Sequence, residues 1–373
     1  MVRDLDVSSG GPSRSVPALA ESQSRHENVE VAVWFQDRGK PIVPMAHSKV
    51  EYGALGRDAL TLRSVVERAF RSAQQRPGSK VIHLHGLWSP LLHVSAKVAS
   101  KERFPYIVST RGMLSGWALG HKAWKKKLAW MFYQESDLQR AECLVASSEF
   151  ELRDITARLP DARVEVIPNG CDARPQRTRS SERTRSLAPG VRWALALGRL
   201  HRVKGYAELI QAWANLRPTG WKLAIAGPDE DGYRSKLEEL IHKLQLQEAV
   251  VMLGEVDDLQ KWTLLDQCEL LVAPSKAENF GMAIAEALQS GTPVITTTGT
   301  PWRELQEFDC GWWIEPDVVA LERALEEATR MDAGVLRAKG ARGQRLVEEK
   351  YSWDEVASRT VRLYQAIIAR RAQ

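Results

Sequence analysis

The run Glu269-Leu270-Leu271-Val272-Ala273-Pro274-Ser275-Lys276-Ala277-Glu278-Asn279-Phe280-Gly281-Met282-Ala283-Ile284-Ala285-Glu286-Ala287-Leu288 carries the clearest local pattern in the chain. It opens with an apolar stretch of strand length. Residues 283–288 are strongly helical, whereas Asn279-Phe280-Gly281 is not. The reading is a strand, a turn, then a helix whose N-terminus lies at Phe280 and Gly281. The first amides of a helix have no intrahelical partner and the helix dipole is positive there, so the spot suits an anionic phosphate. Glu278 falls in the turn and Glu286 one to two turns into the helix. An arbitrary pair of glutamates eight residues apart would read as an N-capping acid and a solvated helix residue, but this setting between strand and helix is not arbitrary.

The same alternation runs outward. Strand candidates are residues 29–35, 80–85, 106–109, 143–146 and 164–167, then 193–197, 222–226, 250–253, 270–273, 294–296 and 311–314. Segments of helical period lie between them, at 59–73, 206–214, 234–244, 283–290 and 321–329. Strands alternating with helices argue α/β domains with parallel sheets covered on both faces, the doubly wound architecture. Residues 172–190 are polar, Arg-rich and poor in large apolar side chains, so they read as a linker. The expected organisation is a first domain at 1–171, a second at 191–352 and a last helical stretch within 353–373. A doubly wound domain normally opens with a buried strand before its first glycine turn. Ahead of Gly10 and Gly11, Val2-Arg3-Asp4-Leu5-Asp6-Val7 is too charged for that role, so the first strand is expected to be degenerate or truncated.

A second constellation, Leu197-Gly198-Arg199-Leu200-His201-Arg202-Val203-Lys204-Gly205, directly follows the strand at 193–197. Arg199 and Lys204 then project from the strand's carboxyl end, the edge where open α/β sheets bind ligands. A forked guanidinium plus a point-charge ammonium suits a diphosphate. It can also neutralise charge building on a leaving phosphate. A basic surface loop is the plain alternative.

Composition sets the outer bounds. A chain of 373 residues holds two domains, and 44% hydrophobic with 27% charged residues excludes a disordered or collagen-like chain. No run of eighteen apolar residues is present to span a bilayer, and MVRDLDVSSGG does not read as a secretory signal. Cys143, Cys171, Cys268 and Cys310 are far apart with no CxxC, which fits reduced, buried thiols in a cytosolic protein. The net charge of +5 is uneven: residues 1–170 carry 24 basic and 18 acidic groups, residues 171–373 carry 28 and 29. A basic first domain points to an anionic partner such as nucleic acid, phosphate or a membrane surface.

The two motifs, in this order, resemble those of the retaining GT-B glycosyltransferases of family 4, also called glycosyltransferase group 1. The resemblance extends over essentially the whole chain. Ile225-Ala226-Gly227-Pro228-Asp229 is similar to the strand-turn ahead of the family's nucleotide site, and Leu253-Gly254-Glu255-Val256 to the loop lining its base pocket. Ser290-Gly291-Thr292-Pro293-Val294-Ile295 follows the glutamate helix as in the family. Gly299-Thr300-Pro301-Trp302, Gly311-Trp312-Trp313-Ile314, Gly10-Gly11-Pro12-Ser13-Arg14-Ser15 and His85-Gly86-Leu87-Trp88 resemble the bacterial exopolysaccharide and O-antigen branch.

The resemblance implies two Rossmann-like domains facing across a cleft, the first binding the acceptor and the second the nucleotide-sugar, with the helix at 353–373 packing back on the first. It implies transfer of a hexose, with retention, from a GDP- or UDP-sugar to a hydroxyl of a growing, lipid-linked surface polysaccharide. By similarity Arg199 and Lys204 hold the diphosphate and Glu278 touches the sugar, which makes these three the catalytic set. The donor site would also include Gly10, Gly11, Gly227, Val256, Asn279, the backbone of Phe280 and Gly281, Met282, and Glu286 on the ribose. Neither a metal nor any other cofactor is expected, and no protein nucleophile is required, so the two carboxylates are not a glycosidase pair.

On the acceptor side the candidates are His85, Trp88 and Arg111. Many family members carry a histidine after the strand that here reads Tyr106-Ile107-Val108-Ser109-Thr110, and Arg111 stands in its place. Arginine cannot act as a base near neutral pH, but it can bind the donor phosphate or an anionic acceptor. His83 and His85 share one face of a strand. With no third metal ligand in view, His83 reads as a satisfied buried histidine and His85 as an acceptor contact. Asp229-Glu230-Asp231 resembles a metal-binding DxD of the other glycosyltransferase fold, but after Gly-Pro and ahead of a helix it reads as an acidic N-terminal cap.

Within residues 117–130, Trp117, Trp124 and Trp130 recur close to one helical face among several lysines. That suits a helix lying on an anionic membrane surface, with the protein cytoplasmic and peripheral on the inner face of the plasma membrane. It equally suits an amphipathic helix burying its tryptophans. Nothing resembles a nucleic-acid-reading element. A nucleotide-sugar epimerase, a sugar-phosphate synthase on the same frame, and a non-catalytic donor-binding relic are the alternatives.

Overall fold

The apolar runs form parallel strands, and the amphipathic segments form the helices that cover them. The computed structural model describes residues 1–6, 11–43, 49–56, 61–120, 122–174 and 187–373. They fall into two units: Met1–Gly170 with Trp353–Gln373, and Cys171–Ser352. The four cysteines are free and buried.

In the first unit β1 (Ala32–Gln36) pairs in parallel with β2 (Glu51–Leu55). A second parallel ladder runs β3 (Ile82–His85), β4 (Tyr106–Ser109), β5 (Cys143–Ala146), β6 (Val164–Val166). The charged opening segment joins the two through isolated bridges, a degenerate strand that is nevertheless buried in the central position. Val2 bridges Phe35 of β1 on one side and His85 of β3 on the other. Its N–H donates to the Trp34 carbonyl at 3.0 Å, and the His85 N–H donates to the Met1 carbonyl at 2.9 Å. Asp4, only 2% exposed, is tolerated because it is paired, 2.7 Å from Arg3 and 3.2 Å from Arg38. Val2 and Leu5 are buried beside it. The order across the sheet is thus β2, β1, residues 1–6, β3, β4, β5, β6, and it reverses between the opening segment and β3. Residues 7–10 lie outside the described set, and Gly10 with them. Gly11 begins the helix Gly11–Gln23.

The last helix, Trp353–Arg371, completes the core of this first unit. Its Val356, Ala357, Leu363 and Ile367 bury against Leu19, Ile107, Cys143, Val145 and Ile167. Tyr364 adds hydrogen-bond contacts to Gln23 (3.2 Å) and His83 (2.7 Å).

The second unit is a single parallel sheet of β7 (Arg192–Leu197), β8 (Trp221–Ala226), β9 (Val250–Gly254), β10 (Leu270–Ala273), β11 (Val294–Thr297) and β12 (Gly311–Ile314), in the order β12-β11-β10-β7-β8-β9. One face is covered by Trp262, Leu264, Leu288, Trp302 and Leu346. The other is covered by Leu209, Trp213, Leu237, Leu321 and Leu325. Burial on both faces is why its strands read as near-continuous apolar runs. Of the expected linker, residues 175–186 lie outside the described set. The parts on either side belong to this unit: Arg174 pairs with Asp266 at 2.6 Å, and Leu187 is buried in its core.

Candidate active site

The strand order of the second unit reverses between β7 and β10, and that switch point is where open α/β sheets hold ligands. Both motif loops leave it. The loop after β7 ends in a 3₁₀ turn, Arg202–Lys204, and then Gly205 at φ +71°. A Cβ on Gly205 would stand 2.1 Å from the Pro274 carbonyl oxygen, so glycine permits the two loops to touch. The Lys276 N–H donates to the Val203 carbonyl at 2.8 Å. The Lys204 ammonium meets the Glu278 carboxylate in an ion pair. Gly281, at φ +87°, turns the chain into the helix Met282–Gln289. The amides of Gly281, Met282 and Ala283 head that helix without intrahelical partners.

The Gly-Thr-Pro-Trp motif braces this loop from behind. The Glu278 N–H donates to the Gly299 carbonyl at 2.9 Å. The Trp302 indole donates to the Phe280 carbonyl at 2.5 Å. The rings of Phe280, Trp302 and Tyr351 pack with centroids 5.0–5.6 Å apart. The Phe280 ring and carbonyl are thus structural. Asn279 is partly buried in the turn, and Met282 packs on the core below it.

Arg199 lies toward β8, half exposed, with Glu230 at 2.5 Å. Gly227, at φ +149°, lets the β8 loop close on the β7 loop, since a Cβ there would stand 1.9 Å from the Gly198 carbonyl oxygen. Each candidate diphosphate cation is therefore matched by a carboxylate, Arg199 by Glu230 and Lys204 by Glu278. An incoming diphosphate would compete for the same two cations. Asp229 accepts the Arg234 N–H at 2.9 Å in the first turn of the following helix, a capping contact.

Glu286 is buried, and the Lys261 ammonium donates to it at 2.6 Å. Lys261 sits on the helix Asp258–Gln267, which starts with a capping box between Asp257 and Gln260. Asp258 lies 3.3 Å from the same ammonium. Burial raises the Glu286 pKa, and Lys261 opposes it only in part. Burial works against the Lys261 charge, but Glu286 and Asp258 outweigh it and raise its pKa. Val256, in the loop before this helix, packs on the same core as Met282. Sequence reasoning missed Lys261, which belongs to no motif. Its one signal is its place five residues beyond Val256 on the helix after the candidate base-pocket loop.

In the first unit the structure brings His85 and Arg111 together. His85 ends β3, where the strand order reverses, and its Nδ1 lies 3.1 Å from Arg111 Nη2. The His83 ring stacks on it at 3.8 Å and contacts Tyr364 (2.7 Å) and Ser109 (2.8 Å). Burial, reinforced by neighbouring positive charge, holds both histidines well below the usual imidazole range, so both are neutral near pH 7. Arg111 sits at φ +54°, an uncommon conformation for a side-chain-bearing residue. It also donates to Asn169, and burial lowers its pKa to about 10, which leaves it charged.

A second residue that sequence reasoning missed, Glu151, holds this turn. Buried, it accepts from Thr110 Oγ1 (2.5 Å), the Gly112 amide, and the Ser147 amide (2.7 Å) and hydroxyl (2.8 Å). Arg111, Ser147, Glu151 and Asn169 line a cavity of about 20 Å³, room for one water. Trp88 is not part of this group. Its N–H donates to Gln134 at 2.9 Å and its ring lies 6.4 Å from Trp130. Among the described residues, no three His, Cys, Asp or Glu side chains are grouped to hold a metal.

Comparison with known proteins bears on both units. Residues 180–341 match the family described as glycosyl transferases group 1, and residues 10–170 match the glycosyl transferase 4-like domain. An uncharacterized glycosyltransferase of Methanocaldococcus jannaschii is 28% identical over 302 residues, covering 76% of this chain and 75% of that protein. The GDP-mannose:cellobiosyl-diphosphopolyprenol alpha-mannosyltransferase of Xanthomonas campestris is 26% identical, covering 99% of this chain and 96% of that one. The structure of Anabaena HepE in complex with UDP-glucose superposes with a TM-score of 0.71 at 17% identity, covering 98% of each chain.

Proposed function

The chain belongs to the group 1 glycosyltransferases with the GT-B fold and is a hexosyltransferase, and from that premise we propose that it moves a hexose from a GDP- or UDP-sugar to a hydroxyl of a lipid-linked saccharide, with retention at the anomeric carbon. The observation that carries this reading is the convergence of Arg199, Lys204, Glu278 and the start of the helix Met282–Gln289 at one switch point. The donor's diphosphate takes Arg199 and Lys204 and releases Glu230 and Glu278. Glu278 is then free to meet the sugar. The two cations and the helix-start amides stabilise the charge that grows on the departing diphosphate as the anomeric C–O bond breaks. The acceptor hydroxyl attacks from the same face, and its proton passes to the leaving phosphate oxygen. This chemistry needs neither a protein nucleophile nor a metal. Glu286, oriented by Lys261, accepts from the ribose hydroxyls.

In the first unit His85 and Arg111 serve the acceptor; neutral His85 offers a hydrogen bond, and Arg111 a fixed charge for a diphosphate carrier. The relatives named for cellobiosyl-diphosphopolyprenol support a lipid-linked acceptor. Such a carrier would hold the enzyme against the inner face of the plasma membrane, with residues 117–130 as the contact. The test is transfer from GDP- and UDP-hexoses to a polyprenyl-diphosphate disaccharide, with the new linkage assigned by NMR. An α-linked product from an α-linked donor is expected. Inversion, or donor epimerisation without transfer, would overturn the reading.

A further inference from the structure

Among the described residues, five exposed large apolar side chains fall within sixteen positions: Trp117 (53%), Trp124 (66%), Leu128 (43%), Met131 (63%) and Phe132 (78%). The helix Ala123–Ala129 continues through a wide π-turn, Trp130–Gln134, into Glu135–Gln139. Positions 124, 128, 131 and 132 recur at i, i+4, i+7 and i+8, which is one helical face. The opposite face is already used. Trp130 packs against the first unit's core, Gln134 is buried and accepts from the Trp88 N–H, and Leu138 is buried. The tryptophans expected to share a face therefore divide, Trp130 inward and Trp124 outward. A helix docked by one apolar face normally turns polar residues to solvent; this one is apolar on both.

Charge argues what covers the outer face. Lys122, Lys125 and Lys127 are exposed beside it, and no Asp or Glu lies between Glu102 and Glu135. A second copy docking face to face would set these lysines against each other. Among the described residues no helix is long and apolar enough to cross a membrane, so a helix lying in the interface is the mode open to this one. We propose that Trp124, Leu128, Met131 and Phe132 insert into the interfacial layer of an anionic bilayer while Lys122, Lys125 and Lys127 meet its headgroups. This deepens the reading above, resting on it for the lipid-linked acceptor but not for the binding itself.

The experiment is flotation of the full chain with phosphatidylcholine vesicles, with and without about a third phosphatidylglycerol. Wild type is expected to float with the anionic vesicles only, and to be released by high salt. M131S/F132S, at two exposed positions, should melt like wild type yet bind at least ~10-fold more weakly, and K125E/K127E should lose the preference for anionic lipid. Failure of wild type to bind, or undiminished binding by M131S/F132S, overturns the proposal. So does a concentration-dependent dimer that M131S/F132S breaks. Stabilisation by nucleotide is measured in parallel. Its loss in wild type would count against the donor site and leave the membrane result standing.

Discussion

Lys261 is the residue on which Glu286 depends. The pair is nearly buried, so removing one partner strands a charge, at about 3 kcal/mol or more. Lys261→Met should lower the melting temperature markedly. Adding Glu286→Leu should recover most of that loss, because an apolar pair of similar volume needs no charge partner, but it should not recover nucleotide binding. The sign with pH follows from burial, which raises the folded-state pKa of Glu286. A carboxyl that holds its proton more tightly folded than unfolded contributes stability below the ordinary carboxylate range and loses it as pH rises through the raised value. In the proposed donor site binding has the opposite slope, since ribose hydroxyls donating to Glu286 would need its ionised form. Donor affinity should therefore fall as pH drops through that raised pKa. In Lys261→Met, which lacks the opposing charge, the fall should begin closer to neutrality; calorimetric titration across pH reads it. Lys204→Ala should weaken donor binding roughly ten- to a hundred-fold, about 1.5–3 kcal/mol, with the fold intact; Glu286→Ala should weaken it similarly but also lower the melting temperature, because it leaves the Lys261 ammonium without its main partner. Arg199, Lys204, Glu278 and Glu286 were legible in the sequence as candidates because each stands in a motif tied to a strand end or a helix start. Lys261 and Glu151 were not, because their meaning comes from partners on other elements.

At the scale of elements, glycines set how closely the loops approach. Gly205→Ala and Gly227→Ala each combine an unfavourable positive φ with a Cβ about 2 Å from a carbonyl oxygen. Each should cost about 2–4 kcal/mol and part the loops that carry Arg199, Lys204 and Glu278. Denaturant unfolding measures the first effect and nucleotide titration the second. Ending the chain at Ser352 should expose Leu19, Ile107, Cys143, Val145 and Ile167 and unfold the first unit, seen as lost near-UV dichroism. Strand legibility followed burial. Tyr106–Ser109, Cys143–Ala146, Leu270–Ala273 and Gly311–Ile314 matched the sequence reading at both ends. Glu51–Leu55 was missed because only Leu55 is fully buried and the strand carries Gly53, so neither alternation nor an apolar run marks it. That the degenerate segment at residues 1–6 is nevertheless buried between two strands was not legible, because Arg38, whose pairing makes a buried Asp4 acceptable, lies over thirty residues away.

The whole molecule holds two units with separate cores, and the donor machinery read from the sequence lies almost wholly in the second. A ligand that binds only the folded form stabilises it by about 2.7 kcal/mol at a hundred times its dissociation constant. For a unit of this size each kcal/mol is worth roughly 2–4 °C, so the matching nucleotide should raise the melting temperature by roughly 5–10 °C. The diphosphate is common to UDP, GDP and ADP, and the cations and helix start that meet it are indifferent to the base. Any selectivity must therefore arise beyond them, and the proposed donor site puts it at the loop with Val256 and the helix bearing Lys261. One nucleotide should stabilise clearly more than the other two. Glu286→Ala should shrink the shift for all three, because the proposed contact of Glu286 is with the ribose they share. Equal shifts from all three nucleotides would mean that the pocket reads only ribose and diphosphate. Donor choice would then rest with the sugar, and the same melting experiment repeated with the nucleotide-sugars would separate them.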